Sequence, residues 1–160
     1  MDIGSGKGYP EGALSNFSPH PFEFGGVQIA SMEGFLQSLK FKDVPMQDYV
    51  CTLVGFKAKK KGAKKNWQES QTLWWRGNPI PRDSDEYQQL LDDAFKAMFT
   101  QNSKAKNALL ASGNAVLKHS IGRTKRAETV LTIQEFCSRL TKLRTHIKFV
   151  ESLESADEKA

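Results

Sequence analysis

The sequence predicts an α+β fold: a mainly helical single domain with a small β-hairpin. Three observations lead there. Apolar residues recur at helical spacing in several separate segments. One short stretch, PFEFGGVQIA, alternates apolar and other residues around a Gly-Gly pair, as a hairpin does. No regular strand–helix alternation runs along the chain, which argues against a doubly wound sheet.

Residues 1–20 read as loop, with Gly and Pro scattered through GYPEGALSNFSPHP. After the hairpin a helix starts near Ser31, with Met32, Phe35, Leu36 and Leu39 on one face. Pro45 opens a second helix whose expected inward face is Met46, Tyr49, Val50, Leu53 and Val54. From Lys57 to Pro81 the pattern is irregular: a lysine block KAKKKGAKK, then NWQESQTLWWRG, then NPIPRD. Ser84 caps a long amphipathic helix, with Asp85 and Glu86 in its positive first turn. Its face is Tyr87, Leu90, Leu91, Ala94, Phe95 and Met98. A short helix covers 103–112 and stops at Gly113. VLKHSIG reads as a short strand or turn, and GRTKRAE as a loop. Thr132-Ile133-Gln134-Glu135 is a capping box, opening a last helix with Ile133, Phe136, Cys137, Leu140 and Leu143 inward. These readings give five or so helices in one domain over residues 1–152, followed by an acidic tail, 153–160, expected to be disordered.

Composition bounds the function. A chain of 160 residues, 39% hydrophobic, can bury a real core as one domain. No apolar run approaches the roughly 20 residues that span a bilayer, and the first residues lack the apolar stretch of a signal peptide. Cys51 and Cys137 lie far apart with no CxxC partner, so neither a disulfide framework nor a zinc site is expected. His20, His119 and His146 are isolated, which disfavours any metal. GSGKG at 4–8 lacks the spacing and the strand–helix context of a phosphate loop, and no G-x-S-x-G elbow is present. The expectation is a cytoplasmic protein with reduced thiols, no cofactor and no membrane partner. Net charge is +5, and six lysines crowd into residues 57–65, a block that reads as a solvated turn or as an attractor of phosphates.

Two features invite chemistry. Glu33, Gln37 and Lys40 recur at i, i+4, i+7 on the helix after Ser31, between its apolar face and Phe41. Such a stripe is either a solvated ion pair or a cleft wall carrying a carboxylate and an amine. The second feature is Trp67, Trp74 and Trp75 followed by Arg76: all three tryptophans fall within nine residues of irregular sequence. They read either as core anchors or as a base-stacking surface beside phosphate-binding charge.

LSNFSPHPFEFGGVQIASMEGFLQSLKF resembles the opening of the NADAR/YbiA-like family, whose pattern runs LSNF-x-P-x-x-F, a hairpin, then an E-x-x-x-Q-x-x-K-F helix. The similarity continues through KAKKKGAKKNW, WWRGNPIPRDSDEY with AFKAMFTQN, ALLASG, LKHSIG and ETVLTIQEFCSRLTKLR, covering residues 9–144. The resemblance implies an N-glycosidase on a mostly helical α+β fold. Family members cleave ribose–nitrogen bonds, in ADP-ribose attached to guanine bases or in phosphoribosylamino-pyrimidine intermediates of riboflavin synthesis. By that likeness Glu33 and Lys40 match the active-site glutamate and lysine, and Trp67 the substrate-lining tryptophan. Ser15, Asn16 and Phe17 match the amino-terminal pocket motif. The chain departs at Glu33-Gly34-Phe35, where many members carry E-H-Y, and at His119-Ser120-Ile121-Gly122-Arg123, which replaces an acidic W-G element.

The expected roles follow. Glu33 stabilises positive charge at the sugar and polarises water. Lys40 holds the substrate or attacks an opened C1′ aldehyde. Gln37, Trp74, Trp75, Arg76, His119 and Ser120 complete the binding set, with Arg76 or His119 donating to the leaving base. The partner is an ADP-ribosyl or phosphoribosyl compound, with nucleic acid as a carrier of the first. The rival reading is a non-catalytic module holding ADP-ribose or nucleic acid through the lysine block and tryptophans, with Glu33–Lys40 an ordinary ion pair.

Overall fold

Ser31, Asp43, Ser84 and Asn102 each accept a hydrogen bond from the backbone amide three residues on, and each starts a helix. Thr132 does the same for Glu135, whose carboxylate accepts in turn from the Thr132 amide at 2.8 Å, closing the capping box read from the sequence. In this computed structural model, which describes residues 1–159, these caps open α1 (Met32–Ser38), α2 (Val44–Cys51), α4 (Asp85–Gln101), α5 (Ser103–Ala111) and α6 (Ile133–Lys159). Only α3 (Gly55–Ala63) begins without a side-chain cap. Two antiparallel hairpins complete the α+β fold: β1 (Phe22–Phe24) with β2 (Val27–Ile29), and β3 (Thr72–Trp75) with β4 (Asn78–Pro81). The first pairs Phe22 with Ile29 across the expected Gly-Gly turn.

Several local expectations change. The lysine block is helical, not a turn: Gly55, Ala58 and Gly62 form the small, buried face of α3, and the lysines occupy the rest. The tryptophan stretch is a hairpin, not irregular. Trp74 pairs with Pro79, and Arg76 and Gly77 at φ 52° and 84° make the two-residue turn that suits strand twist. On α2 the inward residues are Gln47, Val50 and Cys51, while Tyr49 faces out. Gln47 is buried because its amide nitrogen bonds the carbonyls of Ser38, Phe41 and Trp74, and its oxygen accepts from the Arg76 amide. The tail expected to be disordered from residue 153 continues α6 as helix to Lys159.

The core is one cluster that takes Phe35, Leu36 and Leu39 from α1, Tyr87, Leu91, Phe95 and Phe99 from α4, and Phe136 and Leu140 from α6. A charged cluster is sealed beside it. Arg82, fully buried, donates to both carboxylate oxygens of Glu135 at 2.6 and 3.1 Å. Its third bond, from Nε, goes to the Thr129 carbonyl at 2.9 Å, and the Tyr87 hydroxyl donates to the Val130 carbonyl at 2.6 Å. Burial raises the Glu135 carboxyl, but bonds from Arg82, the Thr132 amide and Gln88 overrule it and hold it at about 2. Among the described residues, no helix is long and apolar enough to cross a membrane.

Candidate active site

Three segments, α1 among them, meet at one site. The first is the turn Ser15-Asn16-Phe17, wound tightly by Gly12, where a Cβ would stand 2.3 Å from the Lys7 carbonyl oxygen. Ser15 Oγ accepts from the Phe17 amide, and the Asn16 carbonyl accepts from the Glu33 amide at 3.0 Å. The turn and the helix start are thus fastened to each other. The second segment is α1 itself. Gly34 lets it pack directly on the end of α2, since a Cβ there would meet the Leu53 carbonyl oxygen at 2.5 Å and that of Val50 at 3.1 Å. That contact gives a steric reason for glycine next to Glu33, where a larger side chain has no room. The third segment is His119 to Arg123. His119 Nδ1 lies 2.8 Å from the Ile3 carbonyl, its ring stands edge-on to Phe136, and Gly122 leaves room for it.

Between them is a cleft of about 300 Å³, lined by Ser15, Asn16, Phe17, Glu33, Gln37 and His119. The residues 129–131, held from behind by Arg82 and Tyr87, form another wall. Glu33 is half-buried in the first turn of α1 and accepts a 2.9 Å hydrogen bond from the Gln37 amide nitrogen. Burial raises its pKa; the Gln37 bond and the charges of Lys40, Lys59 and His119 oppose that rise. Lys40 lies just past the α1 C-cap, half-buried, with Nζ 3.4 Å from the Gly62 carbonyl. Burial lowers its pKa and the Glu33 charge resists. Gly62 therefore touches both arms of the site. Its carbonyl takes Lys40, and its Cα abuts Gln37 so closely that a Cβ would stand 1.8 Å from Oε1.

The remaining expected site residues lie elsewhere. Trp67 is buried in the core at 4% exposure. Trp75 packs on Phe24 and Phe35, Trp74 sits under Lys42, and Arg76 pairs with Asp48. Ser120 bonds Asp2 rather than lining the cleft. Lys40 approaches Glu33 without lining the cleft. Conversely, Lys59, Ile121 and Arg123 line it and were missed. The small-residue spacing Gly55, Ala58, Gly62 was the signal for Lys59, because it fixes which side of α3 faces inward.

Residues 8–145 match the model of the family described as bacteriophage protein GP30.3. The chain belongs to that family. A relative is described as an uncharacterized 17.1 kDa protein in the Gp30-rIII intergenic region of Enterobacteria phage T4. It is 40% identical over 147 residues, which cover 90% of this chain and 96% of that one. Among solved structures, the NMR structure of the E. coli protein YbiA superposes with a TM-score of 0.64 at 19% identity, covering 96% of this chain and 87% of the other. This GP30.3-family chain therefore has a YbiA-like fold.

Proposed function

We propose that the chain is an N-glycosidase that hydrolyses a ribose–nitrogen bond, with Glu33 as the indispensable group. What supports the reading is a half-buried carboxylate at a cleft, oriented by Gln37, with cationic groups on either side. Breaking C1′–N builds positive charge on the sugar and negative charge on the departing base. The Glu33 carboxylate stabilises the first and polarises an attacking water. Gln37 fixes that carboxylate, because a donor at 2.9 Å favours its ionised form.

Lys59 and Arg123, at the cleft wall, suit the phosphates of an ADP-ribosyl or phosphoribosyl substrate. His119 faces a carbonyl with Nδ1, so the neutral ring carries its proton there and Nε2 is an acceptor. Only the charged ring donates from Nε2 to a leaving base. Lys40 serves position and charge; a covalent step would require its amine to leave the Gly62 carbonyl. The leaving group is guanine in an ADP-ribosylated nucleic acid or nucleotide, or the pyrimidine of a riboflavin intermediate.

The test is to incubate the protein with ADP-ribosylated guanine DNA and, separately, with the phosphoribosylamino-pyrimidine, and to follow released sugar by mass spectrometry. Release from either, abolished in Glu33→Gln, supports the reading. Tight binding with no release from either replaces it with the non-catalytic module.

A further inference from the structure

The lysines of α3 divide into two groups that sequence alone does not separate. At about 100° per residue, Lys59 lies beside the buried Gly55, Ala58 and Gly62 face, and it reaches the cleft. Lys57, Lys60, Lys61 and Lys64 fall within an arc of about 100° on the opposite side. There they ring a second hollow of about 220 Å³ whose floor is Tyr49 and Leu53 of the preceding helix and loop.

Two properties set this hollow apart from an ordinary solvated face. First, among the described residues, none of the six lysines between 57 and 65 has an acidic partner within ion-pair distance. Those lysines exceed the chain's whole net charge of +5, so the rest of the molecule is slightly acidic and the positive potential is local. Second, aromatic surface lies open beside them. Tyr49 is 54% exposed and Phe56 is 69% exposed, although neighbouring positions of the same segments are buried. The Lys61 ammonium is 5.8 Å from the Tyr49 ring centroid, so ring and cation already stand side by side.

We infer that this face is a docking site for single-stranded nucleic acid: an unpaired base stacks on Tyr49 while successive phosphates lie along Lys57, Lys61 and Lys64. Those three lysines spread along about 10 Å of helix, room for two or three phosphates. A stacking ring set among cations is the arrangement that binds single strands without reading their sequence. A duplex hides the base faces the ring requires. A lipid surface would be met by a broad apolar face, whereas here a single ring, Tyr49, stands among four lysines. The site stands apart from the cleft, and it holds whether or not Glu33 cleaves anything.

The experiment uses the full chain and fluorescently labelled oligo-dT and oligo-U of about 12 nucleotides, with anisotropy read across a salt series. Binding at about 50 mM salt should weaken steeply as salt rises. The triple variant K57Q, K61Q, K64Q should lower the log–log salt slope by about 2, at about 0.7 per phosphate. Y49A should weaken binding about 5- to 150-fold, at about 1–3 kcal/mol per stacked base, and leave that slope unchanged. A control triple, K96Q, K104Q, K118Q, removes the same charge elsewhere and should leave the slope within error; circular dichroism verifies that all variants fold. The arm that binds tighter identifies the strand as DNA or RNA. The inference is overturned by absence of binding to both oligomers, by equal effects of the two triples, or by an inert Y49A. Tighter lysine-dependent binding to phosphatidylserine vesicles than to either oligomer would also overturn it.

Discussion

Arg82 never touches the cleft, yet replacing it with methionine tests how the cleft wall is held. The side chain is fully buried and makes three bonds, two to Glu135 and one to the Thr129 carbonyl. Its loss strands a buried carboxylate, which typically costs about 3–5 kcal/mol. Glu135 keeps its bonds from Gln88 and the Thr132 amide, and the Arg126 guanidinium stays at 3.8 Å, so the lower end, about 3 kcal/mol, applies. Proton linkage sets the scale for all the bonds to Glu135 together, those of Arg82, the Thr132 amide and Gln88. The Glu135 carboxyl lies at about 2 in the fold against an ordinary 4.5, a separation that corresponds to about 3 kcal/mol. Because the folded value is depressed, that stability is complete above about 4.5 and is lost as pH falls towards 2. Urea unfolding followed by circular dichroism should therefore show Arg82→Met weaker by about 3 kcal/mol at pH near 7. The gap to the native chain should narrow as the medium is acidified below the ordinary carboxyl value. A loss under about 1 kcal/mol, or two curves that stay parallel through the acid range, would refute this account of the wall.

Three other outcomes follow from the cleft. Glu33→Gln should lower hydrolysis at least about 100-fold, measured by product release, without lowering the thermal midpoint, because burial disfavours the native carboxylate. Since burial raises the Glu33 pKa, a reaction that needs the ionised carboxylate should show an acid limb above the ordinary value of 4.5 in its pH–rate profile; a limb at or below that value contradicts the role. Gly62→Ala places a Cβ 1.8 Å from Gln37 Oε1 and so turns the amide from Glu33. It should reduce turnover about as much as Gln37→Ala, with the double variant no worse than either alone, as a kinetic double-mutant cycle would show.

Some of this was legible in the sequence for physical reasons. Thr132 and Glu135, Ser84, and Gly25-Gly26 act through neighbours a few residues away, so spacing alone exposes them. The helix in the lysine block was hidden because its packed face is Gly and Ala, which carry no hydrophobic signal. The second hairpin was hidden because Pro79 and Pro81 argue against a strand, whereas a two-stranded ribbon tolerates both. Tryptophan identity could not decide between core and binding surface. Trp67 and Trp75 are placed by contacts with Phe24, Phe35 and the core that only the folded chain brings together. Tyr49 fell outside for the complementary reason: Gln47, polar in sequence, took the inward position by finding three carbonyls to bond.

That glutamine bears on how the molecule breathes. It ties the end of α1, the loop after it and the second hairpin through one amide, and the Trp74 amide adds a bond to the Leu39 carbonyl. None of the three can peel away while the others stay, so they open as one cooperative unit. Amide protons of Phe41, Trp74 and Arg76, far apart along the chain, should then exchange with solvent at a common rate, and the segment that presents Glu33 shares the lifetime of a hairpin it meets only at its far end.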